Sequence, residues 1–280
     1  MRAFGKVWLS IGLISIALGI CLLILAGVSG FTMRRGDTYS LSEEYPADIR
    51  SLDFQIDSGR VRIVEGDTFR IDASGLSENG DFDSQVKDGV WTIRESGHNQ
   101  LNIFGLRVPA ISIFGKSFDP DIMITIPEDF IAEDVRFNLG AGNLDAGRIR
   151  SKTGSFTVDA GEMVLKELDI REQSDYNIGV GYMGLHNANL KNITLDCSVG
   201  YVNIEGIIIG DSDIECGIGK IQMNLEGDIR RYSYDIGGGI TNVSVNGKNY
   251  FGGMDRGAYE DALGSFSMEC GIGNITLDMN

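Results

Sequence analysis

Proline and histidine are scarce in this chain, with four prolines and two histidines in 280 residues. His98 and His186 lie far apart and share no structural row. Neither a histidine metal site nor a Ser-His-Asp or Cys-His pairing can be assembled from them. Basic residues are also short: 24 Lys and Arg stand against 40 Asp and Glu, a formal charge of −16. A domain of that sign repels phosphate backbones, which excludes nucleic acid as a partner, and anionic membrane surfaces repel it too. The plain meaning of the charge is solubility, and cations or basic glycans remain as admissible ligands. Beyond the N-terminal segment no helical periodicity stands out. Punctuation falls to glycine, 38 residues in all. The stretches between these glycines are strongly apolar, so they mark corners and not disorder.

Charge is missing altogether between Lys6 and Arg34. Residues 7–31 form an apolar run of about 25 residues, enough to cross a hydrocarbon core of about 30 Å. A cleavable signal peptide is the alternative, with Arg2 and Lys6 as its charged region and Val28, Ser29 and Gly30 as a small-residue site. The apolar run is longer than the usual core of such peptides, about 7–15 residues. A lipoprotein reading fails at Cys21, because Ile20 precedes it where a small residue is needed. The expected layout is a cytoplasmic tail (1–6), one N-terminal transmembrane helix (7–31), a polar stalk (32–45) and an extracytoplasmic domain. Arg34 and Arg35 follow the span, so the charge signal for orientation is weak.

From Val135 to Asn280 the chain repeats. One glycine per unit falls at Gly142, Gly161, Gly181, Gly200, Gly219, Gly239 and Gly273, at intervals of about 19 or 20 residues, except a last interval of about 34. Five before it stand Phe137, Phe156, Tyr176, Leu195, Ile214, Tyr234 and Met268. Three before it stand Leu139, Val158, Ile178, Cys197, Cys216, Ile236 and Cys270. One before it stand Ala141, Ala160, Val180, Val199, Ile218, Gly238 and Ile272. This period-two alternation is that of a strand with one buried face. After the glycine the parity resets, with Leu144, Met163, Met183, Val202, Ile221, Thr241 and Ile275 two later and another apolar row four later. Leu168 with Ile170, Ala188 with Leu190, and Ile207 with Ile209 suggest a short third side.

A unit this short cannot bury its own apolar side, but stacked copies can. The expected fold is all-β, a parallel β-solenoid (β-helix) of about 20-residue coils with like residues about 4.8 Å apart. An antiparallel meander or sandwich with glycine turns is the competing arrangement. Residues 46–134 read as an irregular first part. Phe54, Ile56, Gly59, Val61 and Ile63 repeat the template, and the remaining strands are placed to cap the first coil. Residues 135–280 are the regular part, interrupted by an inserted loop at 248–263. The last coil, with Met268, Ile272, Ile275 and Leu277 set for burial, is expected to be an open edge, covered by that insert or by a partner such as a second copy. Cys197 and Cys216 should stack as buried free thiols, with Cys270 about twice as far away and Ile236 between. Parallel stacking leaves Cβ atoms wider apart than a disulfide favours.

Few signals carry chemistry. Gly179, Gly181 and Gly184 spell G-x-G-x-x-G, but a strand follows them where a dinucleotide site needs a helix. A calcium-binding nonapeptide roll needs Asp two after the glycine, where this chain has a core row. Asp119 with Asp121 and Asp211 with Asp213 are the nearest carboxylate pairs and read as turn chemistry. Asp196, Glu215, Asp235 and Glu269 form an outward row, close enough to shift a pKa or hold a cation, although a solvated face explains it as well. Asn192, Asn242 and Asn274 match the glycosylation acceptor by chance. No catalytic, cofactor-binding or metal residues are assigned and no cofactor is implied.

An apolar N-terminal anchor followed by LDFQIDSGRVRIVEG, FNLGAGNLDAG, ITLDCSVGYVNIEG and FSMECGIGNITLDMN resembles the bacterial DUF4097 family, often labelled "putative adhesin". The resemblance covers residues 50–280. It implies a β-solenoid, usually non-enzymatic, with surface, adhesion or envelope-stress roles. Together with the apolar anchor, the expected function is a membrane-anchored extracytoplasmic interaction or adhesin-like module with an envelope protein or a glycan as partner, or alternatively an envelope-stress component working through a membrane partner. The other functional class kept in view is a carbohydrate-active β-helix enzyme, which would need an outward groove of clustered carboxylates with basic partners.

Overall fold

Inward-facing rows two residues apart can be satisfied only if each coil lies on another, and the chain does this with parallel pairing. The structure is a computed structural model that describes residues 38–280, apart from 79–80, 97–99, 104–105, 110–119, 252 and 258–260. The expected tail and membrane span, 1–6 and 7–31, and the first part of the stalk lie outside the described residues. Among those described, no helix is long and apolar enough to cross a membrane.

The first coil is β2 (Ser51–Gly66), preceded by β1 (Thr38–Tyr45). Four strands then extend or cap it: β3 (Phe69–Ser77), β4 (Asp81–Lys87), β5 (Val90–Ser96) and, after the small two-stranded sheet of β6 (Gln100–Ile103) and β7 (Leu106–Pro109), β8 (Asp121–Pro127). β5 pairs in parallel with the first half of β2, and β8 with its second half. Outside them the pairing turns antiparallel, β4 on β5, β3 on β8 and β1 on β3. That switch ends the stack, and the outermost strands β1 and β4 are short, polar and half exposed, which discourages further pairing. Residues 38–45 are therefore a strand and not part of a stalk. Trp91 fastens this end: fully buried, it lies 4.9 Å from Tyr45, 5.4 Å from Phe54 and 6.0 Å from Phe69 by ring centroid, and its indole N–H donates to Ser84 Oγ.

The regular part begins with β9 (Ala132–Leu225), a single extended run that winds through successive coils. Its first coil pairs in parallel with β2, Phe54 against Phe137 and Gly59 against Gly142. Rings of Phe54, Phe137, Phe156 and Tyr176 follow one another at 5.1, 5.6 and 5.3 Å. The rows five before, three before, two after and four after the glycine form the core in every coil of β9. In the third side one parity slips. Ile208 is buried, and Ile207 is exposed, because Gly206 at φ 140° turns the chain one residue early.

The glycines stack on one another. A Cβ placed on Gly142, Gly161, Gly181, Gly200 or Gly219 would lie 1.8–2.1 Å from the carbonyl oxygen of the preceding glycine in the column. Glycine is obligatory there by close backbone approach, and most of these positions also hold positive φ. The small-residue row two earlier has the same cause. Cβ atoms on Gly140, Gly179 and Gly217 would meet the carbonyls of Asp57, Asp159 and Ser198 at 2.3–2.6 Å.

The order of the last coils differs from chain order. After a 3-10 turn at Ile229–Arg231 come β10 (Tyr232–Val245), β11 (Lys248–Phe251), β12 (Met254–Arg256) and β13 (Gly264–Met279). β13 lies between β9 and β10, parallel to both. Cys270 sits directly opposite Cys216, and no Ile236 intervenes. Cys197, Cys216 and Cys270 are buried free thiols in one stack. The physical reason lies in the corner. β13 repeats the glycines of β9, with Gly273 on Gly219 and Gly271 on Gly217. β10 carries Thr241 opposite Gly273, and Gly238 takes the left-handed conformation at φ 150° instead. A coil lacking the corner glycine fits the end of the column, where no further coil must approach it. The register of β10 is accordingly two residues from the expected one: Tyr234 faces Phe266, Ile236 faces Met268 and Gly238 faces Cys270.

The C-terminal strand is thus paired on both sides and is not an open edge. The insert at 248–263 is not merely a loop. Its strands β11 and β12 pair antiparallel with the two halves of β10 and cover the end coil.

The glycine column is testable. Gly181→Ala should cost about 3–5 kcal/mol of unfolding free energy by denaturant titration, because its Cβ would meet the Gly161 carbonyl oxygen at 1.8 Å. Gly257→Ala, with nothing among the described residues within 4 Å, should be neutral within about 0.5 kcal/mol.

Candidate functional site

Between two glycine rows the chain leaves one residue per coil with no room to turn inward. This is the row immediately before the corner glycine, expected from the alternation to be buried. It is exposed. Val180, Val199, Ile218 and Ile272 show 57, 42, 51 and 51% of their surface, and Ile240, which the register of β10 brings into the row in place of Gly238, shows 77%. Ile218, Ile272 and Ile240 are register partners on adjacent coils. The correction follows from the corner: the parity break falls before the glycine and not after it, so this side chain is thrown outward. At about 4.8 Å per coil the five β-branched residues make a straight apolar ridge about 19 Å long. Flanking it are Gly179, Ser198, Gly217, Gly271 and Gly239 on one side and Gly181, Gly200, Gly219, Gly273 and Thr241 on the other, all small, so its sides are little shielded. A contiguous exposed apolar feature of this kind marks an interaction surface more often than a stray surface residue does.

Across the second glycine row lies a polar and aromatic face, built from the residues one, three and five after the corner. Tyr182 and Tyr201, on adjacent coils, have ring centroids 5.4 Å apart and tilted by 52°. Lys220 Nζ stands 5.0 Å above the Tyr201 ring and donates to Gln222 Oε1, which also accepts from the Tyr201 hydroxyl. His186 Nδ1 is 2.9 Å from Glu205 Oε2, and Asn203 Nδ2 donates to Glu205 Oε1 at 3.0 Å. Those two hydrogen bonds, that of His186 first, hold the Glu205 carboxyl below its ordinary range, while burial pushes the Tyr182 phenol up. In the sequence alone His186 has no partner and nothing joins Tyr182 to Tyr201. The available signal was their 19-residue separation, which is one coil.

The remaining sequence candidates are placed as follows. Gly179 and Gly181 are members of the two glycine columns, and Gly184 lies beneath Tyr182. The carboxylate row contains Glu215 opposite Glu269, but Glu269 faces Gly237 on the next coil, and Asp235 instead pairs with Ser267 and Asp255. Among the described residues no group of three or more His, Cys, Asp or Glu side chains converges as a metal site. Asp121 is on a strand and ion-paired with Arg62 at 2.9 Å, not in a turn. Asp211 is likewise in β9, accepting from Ser265 Oγ. Asp119 and His98 lie outside the described residues. Asn192 is a structural rung, donating to Glu172 O and accepting from Asp211 N.

Two measurements check this placement. Ile218→Ser should change stability by less than about 0.5 kcal/mol, whereas Ile221→Ser, three residues on and fully buried, should cost at least about 3 kcal/mol in thermal or denaturant unfolding. The Glu205 side chain should titrate below an ordinary glutamate by NMR, and its midpoint should rise in His186→Ala. The sign follows from linkage: a depressed folded pKa stabilises the fold above the ordinary glutamate pKa, and this is lost as pH falls through the folded value.

Comparison with known proteins gives one family and several distant structures. No curated protein matches the chain. Solved structures that align include a putative adhesin from Bacteroides fragilis, 12% identical, covering 86% of this chain and 96% of that one with a TM-score of 0.44. A putative cell adhesion protein from Clostridium sporogenes is 15% identical, covering 87% and 100% with a TM-score of 0.34. A putative lipid binding protein from Parabacteroides distasonis is 13% identical, covering 87% and 95% with a TM-score of 0.28. The match to the Toastrack DUF4097 family runs over residues 49–252, from the cap before the first coil into the insert, and the chain belongs to that family.

Proposed function

We propose that this chain is a membrane-anchored, extracytoplasmic interaction module of adhesin-like, non-enzymatic kind, in which a rigid stack of coils presents the Val180–Ile240 ridge to a partner. The observation that carries the reading is the ridge itself. Five β-branched side chains are exposed in one line on a backbone whose glycine columns leave them no alternative direction. The apolar run at residues 7–31 supplies the anchor, with 1–6 on the cytoplasmic side. An acidic body and an apolar stripe together suit a partner in the envelope better than an anionic bilayer surface.

The test uses the full chain in its own cells. A photo-crosslinking residue at Ile218 should capture a discrete envelope component. Capture should fall to background when Val199, Ile218 and Ile272 are made Asp in a second background with the crosslinker at Val180. Protease added to intact cells without an outer wall should degrade the domain. Crosslinking at Ile218 no stronger than at Thr157 on another face, or a domain protected from external protease, would overturn the proposal.

A further inference from the structure

We infer that the face formed by Tyr182, Tyr201, Asn203 and the His186–Glu205 pair is a binding site for a neutral glycan chain. The inference is independent of the ridge. It begins with Gly184. A Cβ there would lie 2.7 Å from the Tyr182 hydroxyl and 3.2 Å from its Cε1, and 3.0 Å from His186 Nε2. The Tyr182 ring therefore lies down along its own strand over Gly184, which it buries, and turns its other face outward. Tyr201 leans toward the next coil, where its hydroxyl donates to Gln222 Oε1 and Lys220 Nζ stands 5.0 Å from its ring centroid. The two rings splay at 52° and form an aromatic surface two coils wide. Such a surface matches the apolar C–H face of a pyranose, and it is amphipathic in the way that interaction aromatics are, with an apolar body and a polar tip.

The second observation is an unpartnered polar atom. Asn203 is 7% exposed, its Nδ2 is committed to Glu205, and its Oδ1 has no hydrogen-bond partner. A buried acceptor left unmade is costly, so Asn203 gains by turning its amide toward a hydroxyl offered at this face. Around it stand the groups that read sugar hydroxyls: the Glu205 carboxylate, His186, the Gln222 amide and the Tyr182 phenol. His186 and Asn203 are fixed to Glu205 by hydrogen bonds, and Gln222 to Tyr201 and Lys220, so the array is preorganised. Charge selects the class. With a net charge of −16, and with Glu162 and Glu205 beside the rings against Lys220 alone, whose ammonium is held over Tyr201 and by Gln222, a polyanionic chain is repelled and a neutral hexose or N-acetylhexosamine chain is admitted.

The test is an array of neutral hexose and N-acetylhexosamine oligosaccharides probed with the purified full chain, followed by calorimetry on the best binder. Tyr182→Ala and Tyr201→Ala should each weaken binding at least about tenfold, and Asn203→Leu should do likewise. Tyr182→Phe should keep most of it, because the stacking face survives. Far- and near-ultraviolet dichroism of each variant shows that it is folded. Ile218→Asp, on the ridge, should bind the glycan as the parent does, which separates this site from the ridge proposal. Failure of the parent to bind any neutral glycan overturns the inference. So does binding that survives Tyr182→Ala, or binding lost through Ile218→Asp alone.

Discussion

Backbone approaching backbone through glycine is the constraint on which the rest depends. Each coil must pass close enough for a parallel ladder to form around a tight corner, and at that corner a single Cβ would meet a carbonyl oxygen at about 1.8–2.1 Å. Once the glycines are in place, the other rows have only one direction each. Residues three before and two after the corner go inward and make the core, and the residue just before the corner goes outward. The apolar ridge and the buried cysteine stack are consequences of the same corner, seen from its two sides.

Much of this was legible in the residues, and the failures have physical causes. The glycine interval and the rows five and three before and two and four after the corner depend on local period and hold through β9, and the first part caps the stack. The ridge was misassigned because Val180, Val199, Ile218 and Ile272 satisfy an apolar alternation, and composition does not report the direction of a Cβ at a bend. The placement of β13 was missed because stacking was taken in chain order. A signal existed, since Glu215–Gly219 and Glu269–Gly273 both read ECGIG, whereas the β10 segment has no such match. The tyrosine face was hidden for a different reason. Tyr182, Asn203 and Glu205 are ordinary outward residues on their own strands, and only the neighbouring coil makes them a group.

The ends of the stack solve one problem in two ways. At the beginning, β5 and β8 each cover half of the first coil, and antiparallel strands then close over them. At the other end, β11 and β12 fold back on the halves of β10. In both places a parallel edge, which could accept another coil, is exchanged for short antiparallel strands that cannot propagate the corner. The module is thereby kept finite while its long face stays regular.

The position of β13 also sets the order in which the molecule can be completed. Residues 264–279 occupy the slot between β9 and β10, so two parallel edges stay unsatisfied until this later segment has arrived. A chain emerging from a ribosome or a translocation pore can wind its early coils as they appear. The coils on either side of residues 264–279 must wait for this non-local pairing, a kind of topology associated with slow barrier crossing. Until that moment Cys216 and the other side chains along the edge of β9 are unprotected. The interval between emergence and closure is therefore when this otherwise sealed structure is most open to a chaperone, a protease or an oxidant.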